Sequence, residues 1–334
     1  MKGKTVYVVS PAYFKTGGTE LAHQLVWLYN QNGICAKMAY LEAKKHEEPL
    51  NPAFCKYIQE WCTFESIEDA KNNIVILPEI HTELVLNFKN AHVLIWWMSV
   101  DNYLDEVSFF ALKKHMGFLR SIKCTLFNGM LKEKKLKEKG VYQAEMHLYQ
   151  SEYAKQFLQA KNLTNAFPLS DYINDLYFQN DDQVERRDVV LYNPRKGYRF
   201  TKKIINKSPQ FNWVALEHLS TEEVVTLLRS SKVYIDFGNH PGKDRFPREA
   251  AISGCCIITG RRGAAGNSID ISINEKYKFN DIVKNIPLII DLISKCLIDF
   301  ENMQKDFLEY RKKISLEKDI FSKEALNIIQ QFSK

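Results

Sequence analysis

Two open parallel β-sheets, each with helices on both faces, are what this 334-residue sequence predicts. Three observations carry the expectation. Short apolar runs alternate with segments of helical spacing along most of the chain. Several of those runs are apolar almost throughout, as strands buried on both faces tend to be. The alternation also restarts after a polar stretch, NDDQVERRD (180–188), so the pattern occurs twice. The length suits about two domains.

The first half opens with TVYVVS (5–10), a β-rich run that ends at a turn. GGTELAHQLVWLYNQNG (17–33) follows, with Leu21, Leu25, Leu28 and Tyr29 at helical spacing and Asn32-Gly33 as a stop signal. ICAKMAYL (34–41) is the next strand, which makes a βαβ unit, right-handed by default. NIVILPE (73–79) and AHVLIWWMSV (91–100) read as buried strands, and CTLFNG (124–129) and EMHLYQS (145–151) as weaker ones. LKEKKLKEKG (131–140) is a lysine-rich helix or loop.

In the second half VVLYNP (189–194), FNWVALE (211–217), KVYIDFG (232–238) and CCIITG (255–260) read as strands. Between them lie the helical segments 199–208, 220–231 and 247–254. Ser220 and Glu223 form a capping box, and the third helix starts at Pro247 and stops at Gly254. From Asn280 onward the chain reads as helices. No repeat of solenoid length and no low-complexity tract is present.

Composition narrows the function classes. With 45% hydrophobic and 26% charged residues the chain is globular, and a net charge of +6 is too small to point to nucleic acid. It suits an anionic ligand or an acidic lipid surface. The seven cysteines form no C-x-x-C pair, so reduced thiols in a cytoplasmic protein are expected rather than disulfides or a zinc site. The start of the chain lacks the apolar region and cleavage site of a secretory signal. Its longest apolar run, HVLIWWMSV, is far shorter than the roughly 20 residues of a membrane helix.

Five stretches bear chemistry. In SPAYFKTGGTE (10–20), Gly17 and Gly18 allow close backbone approach at a helix start, which suits an anion or a hydroxyl; a plain strand-to-helix turn is the alternative. In YNPRKGYRF (192–200), Arg195 and Lys196 follow a strand directly and suit a diphosphate, or else form a solvated basic loop. In HPGKDRFPREAAISG (240–254), a loop with His240, Lys243, Asp244 and Arg245 precedes a helix start near Pro247. Glu249 is expected in the first helical turn, where it either compensates the dipole or accepts hydrogen bonds from vicinal hydroxyls. GRRGAAGN (260–267) lets the backbone approach a ligand at Gly260, Gly263 and Gly266, with Arg261 and Arg262 adding charge. In WWMSVDNYLDE (96–106), Asp101 is a general base tuned by burial near Trp96 or Trp97, or the cap of the next helix. Glu79 and His81 raise the same question. The lysines of 132–139 form a solvated helix face or meet anionic lipid headgroups.

With these stretches in order, the chain resembles the GT-B-fold glycosyltransferases, especially the nucleotide-sugar-dependent, group 1-like enzymes that build bacterial surface polysaccharides. GGTE resembles their N-terminal glycine loop, and NPRKG their Arg-Lys pair that holds the donor diphosphate. FPREAAISGCCIITG resembles their Glu-Ala helix and following strand, which matches Glu249 to the ribose-binding glutamate. GRRGAAGN resembles the next loop. One departure stands out. Retaining members carry a further glutamate eight positions earlier, where this chain has Pro241 beside His240. The sugar-contacting acid of the family therefore has no counterpart here.

The resemblance implies two Rossmann-like domains facing a central cleft. Residues 1–175 would form the acceptor side, 188–312 the nucleotide-sugar domain, and 313–334 a helix returning to the first domain. It implies a hexosyltransferase that needs no metal or cofactor beyond its nucleoside-diphosphate sugar donor. The acceptor would be a glycan or lipid-linked hydroxyl, with the protein cytoplasmic or at the inner membrane face. Asp101 and His240 are the candidate catalytic residues. Gly17, Gly18, Arg195, Lys196, Lys243, Arg245, Glu249 and Gly263 are the candidate donor-binding residues. An epimerase or hydrolase of the same fold, using Glu20, Glu79 and Asp101, and a non-catalytic nucleotide-binding scaffold are the rival expectations.

Overall fold

A computed structural model describes residues 3–44, 47–58, 60–107, 130–179 and 184–332. The chain divides into two compact units, Met1–Ser170 with Phe321–Lys334, and Asp171–Ile320.

Unit 1 is built on β1 (Val6–Pro11), β2 (Ala36–Leu41), β3 (Trp61–Thr63), β4 (Ile74–Pro78), β5 (His92–Trp97), β6 (Met146–Tyr149) and β7 (Ala166–Pro168). They form one seven-stranded sheet in the order β3-β2-β1-β4-β5-β6-β7, with every pairing parallel. β1 and β4 are buried along almost all their length, as their unbroken apolar runs require. The helix α1 (Gly17–Gln31) starts at a capping box made by Thr16 and Thr19 and ends at Asn32, followed by Gly33 with φ +71°. α2 (Val100–Val107), α3 (Met130–Gln143) and α4 (Glu152–Ala160) follow. The weak strand expected at 124–129 lies outside the described residues. β3 and β7 are three-residue edge strands, too short for a periodic signal. Trp96 and Trp97 are core residues: Trp97 packs against Tyr103 and Phe157, and the Trp96 indole donates to the Leu169 carbonyl at 2.9 Å.

Unit 2 holds β8 (Arg187–Tyr192), α5 (Tyr198–Lys207), β9 (Asn212–Ala215), α6 (Thr221–Ser230), β10 (Ser231–Asp236), α7 (Arg245–Ile252) and β11 (Cys256–Thr259). Its sheet runs β11-β10-β8-β9, again all parallel. The capping box of Ser220 and Glu223 opens α6. Three longer helices close the chain: α8 (Ile286–Ile298), α9 (Leu308–Ser315) and α10 (Glu317–Gln331). From Phe321 onward α10 belongs to unit 1, where Phe321 stacks on Trp96 and the Ala325 carbonyl accepts from the Tyr29 hydroxyl.

Strand order locates the functional edge of each sheet. In unit 2 the chain leaves β8 toward β9 on one side and returns to β10 on the other. The crevice at the carboxyl ends of β8 and β10 is thus a topological switch point, where open α/β sheets bind ligands. In unit 1 the same reversal falls between β1 and β4.

Candidate functional site

The loops after β8, β10 and β11 meet at the switch point of unit 2. After β8, the Asn193 side chain accepts the Arg195 N–H at 3.0 Å and turns the chain. Gly197 then adopts φ +60° and caps α5 without a side-chain hydrogen bond. A Cβ on Gly197 would lie 2.1 Å from the Phe237 carbonyl oxygen, so only glycine lets this loop pack on the one after β10. Gly263, with φ +63°, does the same after β11: a Cβ there would lie 2.0 Å from the His240 carbonyl oxygen, which accepts the Ala264 N–H at 2.8 Å.

These packed loops bring four charged side chains together. Asp236, the last residue of β10, accepts hydrogen bonds from the Tyr234 hydroxyl and the Gly238 N–H, both at 3.0 Å. His240 is wholly enclosed, with Nδ1 2.8 Å from Asp244 Oδ2 and Nε2 3.7 Å from Asp236 Oδ1. Burial opposes charge on this imidazole, but the two carboxylates outweigh it and hold its pKa above the ordinary value. Lys196 Nζ sits 2.5 and 2.7 Å from the two Asp244 oxygens. For Asp244 burial also works against charge, and His240 with Lys196 reverses it, lowering the pKa. Donor atoms of Asp236, His240 and Asp244 lie within 4.8 Å of one another, a spacing a metal ion can bridge. Here the Lys196 ammonium already puts a cation on both oxygens of Asp244.

A second charge cluster lies under the same loop. Arg248, fully buried on α7, reaches Asp171 at 2.6 Å and Glu317 at 2.7 Å and donates to the Asp244 and Lys243 carbonyls. Lys243 joins it, 2.8 Å from Glu317 and 3.9 Å from Asp171, and Arg245 Nε lies 4.0 Å from Asp171. Burial opposes charge on Asp171, and the cations around it, Arg248 foremost, hold its pKa low. The helix is thereby fixed to Asp171 and Glu317, both within unit 2.

The sequence-predicted residues are placed as follows. Arg195 and Lys196 stand at the carboxyl end of β8; Arg195 is exposed and its side chain has no partner among the described residues. Lys243 and Arg245 turn toward Asp171 and Glu317. Helix α7 begins at Arg245 rather than near Pro247, because Asp244 already has the extended conformation of a cap. Glu249 consequently sits beyond the first turn, and is 7% exposed. In unit 1, Gly17 and Gly18 open α1, and a Cβ on Gly18 would make ordinary contact with Met98 Sδ at 3.6 Å. Asp101 lies in the first turn of α2 and accepts from the Tyr153 hydroxyl at 2.8 Å. The capping role falls to Ser99, whose Oγ accepts the Asn102 N–H at 3.3 Å. Glu79 follows β4 at the switch point of unit 1; it is 3% exposed, accepts the Met98 N–H at 3.2 Å, and burial pushes its pKa up to about 7. His81 lies in the same turn, 3.4 Å from Glu83. In the lysine run, Lys137 is buried against the Ile80 carbonyl and Glu83, while Lys132, Lys135 and Lys139 are exposed.

Sequence reasoning passed over Asp171, Asp236 and Glu317. Asp236 was hidden in an apolar strand, where one acid at a strand's carboxyl end is the available signal. Asp171 and Glu317 are far from Arg248 in sequence, and no local pattern ties them to it.

No protein-family model matches the sequence, and no curated protein matches it. Solved structures do. The chain is similar to sucrose-phosphate synthase from Thermosynechococcus elongatus, at TM-score 0.67 and 10% identity over 98% of both chains. It is similar to a glycosyltransferase from Rickettsia africae, at TM-score 0.63 and 13% identity over 100% of both. It is also similar to Anabaena HepE solved in complex with UDP-glucose, at TM-score 0.61 and 11% identity over 98% of both. The fold is thus that of GT-B glycosyltransferases.

Proposed function

We propose that the chain transfers a sugar, of hexose type, from a nucleoside-diphosphate sugar to a hydroxyl of a glycan or lipid-linked acceptor, in the manner of the enzymes that build bacterial surface polysaccharides. The observation that carries this reading is the convergence at the switch point of unit 2. There an unpartnered guanidinium, Arg195, stands beside Lys196 and next to the start of α5, whose cap leaves its N–H groups without a side-chain acceptor. Cations and helix-start N–H groups without a side-chain acceptor together suit a diphosphate. HepE, of the same fold, was solved with UDP-glucose.

In this reading Arg195, Lys196 and the first turn of α5 stabilise the charge that develops on the leaving diphosphate, so the step needs no metal. Lys243 and Arg245 support the loop from below and add to the positive field. Glu249 takes the ribose hydroxyls. Gly263 and the glycine loop after β11 give the donor room, and Gly17 with Gly18 do so at the start of α1. Asp101 deprotonates the acceptor hydroxyl, with Tyr153 orienting its carboxylate. The exposed Lys132, Lys135 and Lys139 suit anionic headgroups at the cytoplasmic membrane face.

A second reading, an epimerase or hydrolase acting on the nucleotide sugar, is favoured by Glu79, a buried carboxyl with pKa about 7 at the unit 1 switch point. A crystal structure of the chain soaked with UDP-glucose tests the donor site. Diphosphate oxygens within hydrogen-bond reach of Arg195 or of the start of α5 are expected; nucleotide bound elsewhere would contradict the assignment. Release of free sugar without an acceptor would favour the second reading.

A further inference from the structure

His240 touches no solvent, so a direct chemical role is closed to it in this arrangement. Its surroundings suggest another. The groups facing its ring are Asp236 at the end of β10, Asp244 at the cap of α7, and Lys196 behind Asp244. Asp281 also senses it, and is itself 2.6 Å from Arg262. Asp244 is therefore shared between two cations, which both reach its Oδ2. With the imidazole charged, Asp236, Asp244, His240 and Lys196 balance. With the imidazole neutral, the four carry one net negative charge, and Asp244 has only Lys196 to neutralise it.

We propose that His240 is a positioning residue for the anion site: held between Asp236 and Asp244, its imidazolium takes up part of the Asp244 charge and so leaves the Lys196 ammonium available to a diphosphate. The inference rests on the donor reading above. Loss of the imidazole proton ties Lys196 more firmly to Asp244 and puts a net negative charge beside the ligand. Affinity for an anionic donor then falls as pH rises. The raised pKa of His240, which burial opposes and the two carboxylates produce, puts this loss above the ordinary histidine value.

Two measurements on the full chain test it. The first is a histidine ¹⁵N NMR titration, with His240 assigned through H240Q. A charged imidazole at neutral pH is expected, and a neutral one overturns the inference whether or not any nucleotide binds. The second is the affinity for UDP-glucose between about pH 6 and about pH 8.5, a range in which its diphosphate diester does not titrate. A weakening of roughly tenfold is expected over that range. Uridine, which lacks the diphosphate, should show no such trend. D236N keeps the acceptor for the Gly238 N–H and should move the midpoint to lower pH, and H240Q should flatten the profile. A flat wild-type profile overturns the role of His240 and leaves the donor site standing. Absence of UDP-glucose binding at every pH, with His240 charged, overturns the use of this site for that donor.

Discussion

Lys196 and Asp244 come from loops after β8 and β10, and meet with Nζ 2.5 and 2.7 Å from the two carboxylate oxygens. The contact joins the two loops that border the switch point of unit 2, so it shapes the place where a diphosphate would lie. It also means that one of the two cations at this strand end is engaged in the protein itself, while Arg195 beside it is not.

That difference gives the first prediction. Arg195→Ala should weaken UDP-glucose binding about tenfold, the worth of one charge-assisted hydrogen bond, with no change in melting temperature. Lys196→Ala should weaken binding to a similar extent and also lower the melting temperature, because it leaves Asp244 short of a partner. Calorimetry and thermal unfolding on both variants check the contrast.

Arg248 is tied to Asp171 and Glu317 in the interior of unit 2. Arg248→Met would leave two buried carboxylates with Lys243 and Arg245 alone, a loss of about 3–5 kcal/mol when one side of a buried ion pair is removed. Urea unfolding should show it as a lower midpoint. A variant as stable as the wild type would mean that the cluster contributes little.

Glycines at the two switch points should respond differently. Gly263→Ala forces a Cβ to within 2.0 Å of the His240 carbonyl oxygen at φ +63°, so the loop after β11 must shift, and stability should fall by more than about 1 kcal/mol. Gly18→Ala adds an ordinary contact with Met98 and should leave unfolding unchanged. If that variant still loses turnover, the space over Gly18 is used by a substrate.

Two buried groups in unit 1 set opposite pH dependences. Burial raises the Glu79 pKa to about 7, so between the unfolded carboxyl value and pH 7 the folded state binds the extra proton, and stability falls as pH rises through that window. The loss is at most about 3 kcal/mol. Burial lowers His23 to about 4, so the unfolded state takes up the proton first, and stability falls as pH drops from the ordinary histidine value toward 4. Glu79→Gln should therefore raise the melting temperature at pH 8 and leave it unchanged near pH 4.5. An equal gain at both pH values would contradict the account.

Much of this was legible in the sequence. Near-continuous apolar runs marked β1, β4, β5, β8 and β10, and capping residues marked the starts of α1 and α6. Arg195 and Lys196 could be assigned to a strand's carboxyl end because they follow β8 directly. The local pattern could not show which way the side chains turn. Lys243 and Arg245 read as free positive charge, yet distant Asp171 and Glu317 draw them inward. His240 read as a loop residue and a candidate catalytic group, yet closure of the loop by Gly263 buries it. The start of α7 was misread because Pro247 resembled a first helical residue, while Asp244 had already set the cap.

The central claim is that unit 2 holds a nucleoside-diphosphate sugar at the ends of β8 and β10. Calorimetric titration of the folded chain with UDP-, GDP-, CMP- and dTDP-sugars tests it most directly. Saturable binding of at least one of them, abolished in the Arg195→Ala/Lys196→Ala double variant, is the predicted result. No binding of any of the four, or binding that the double variant retains in full, would contradict it.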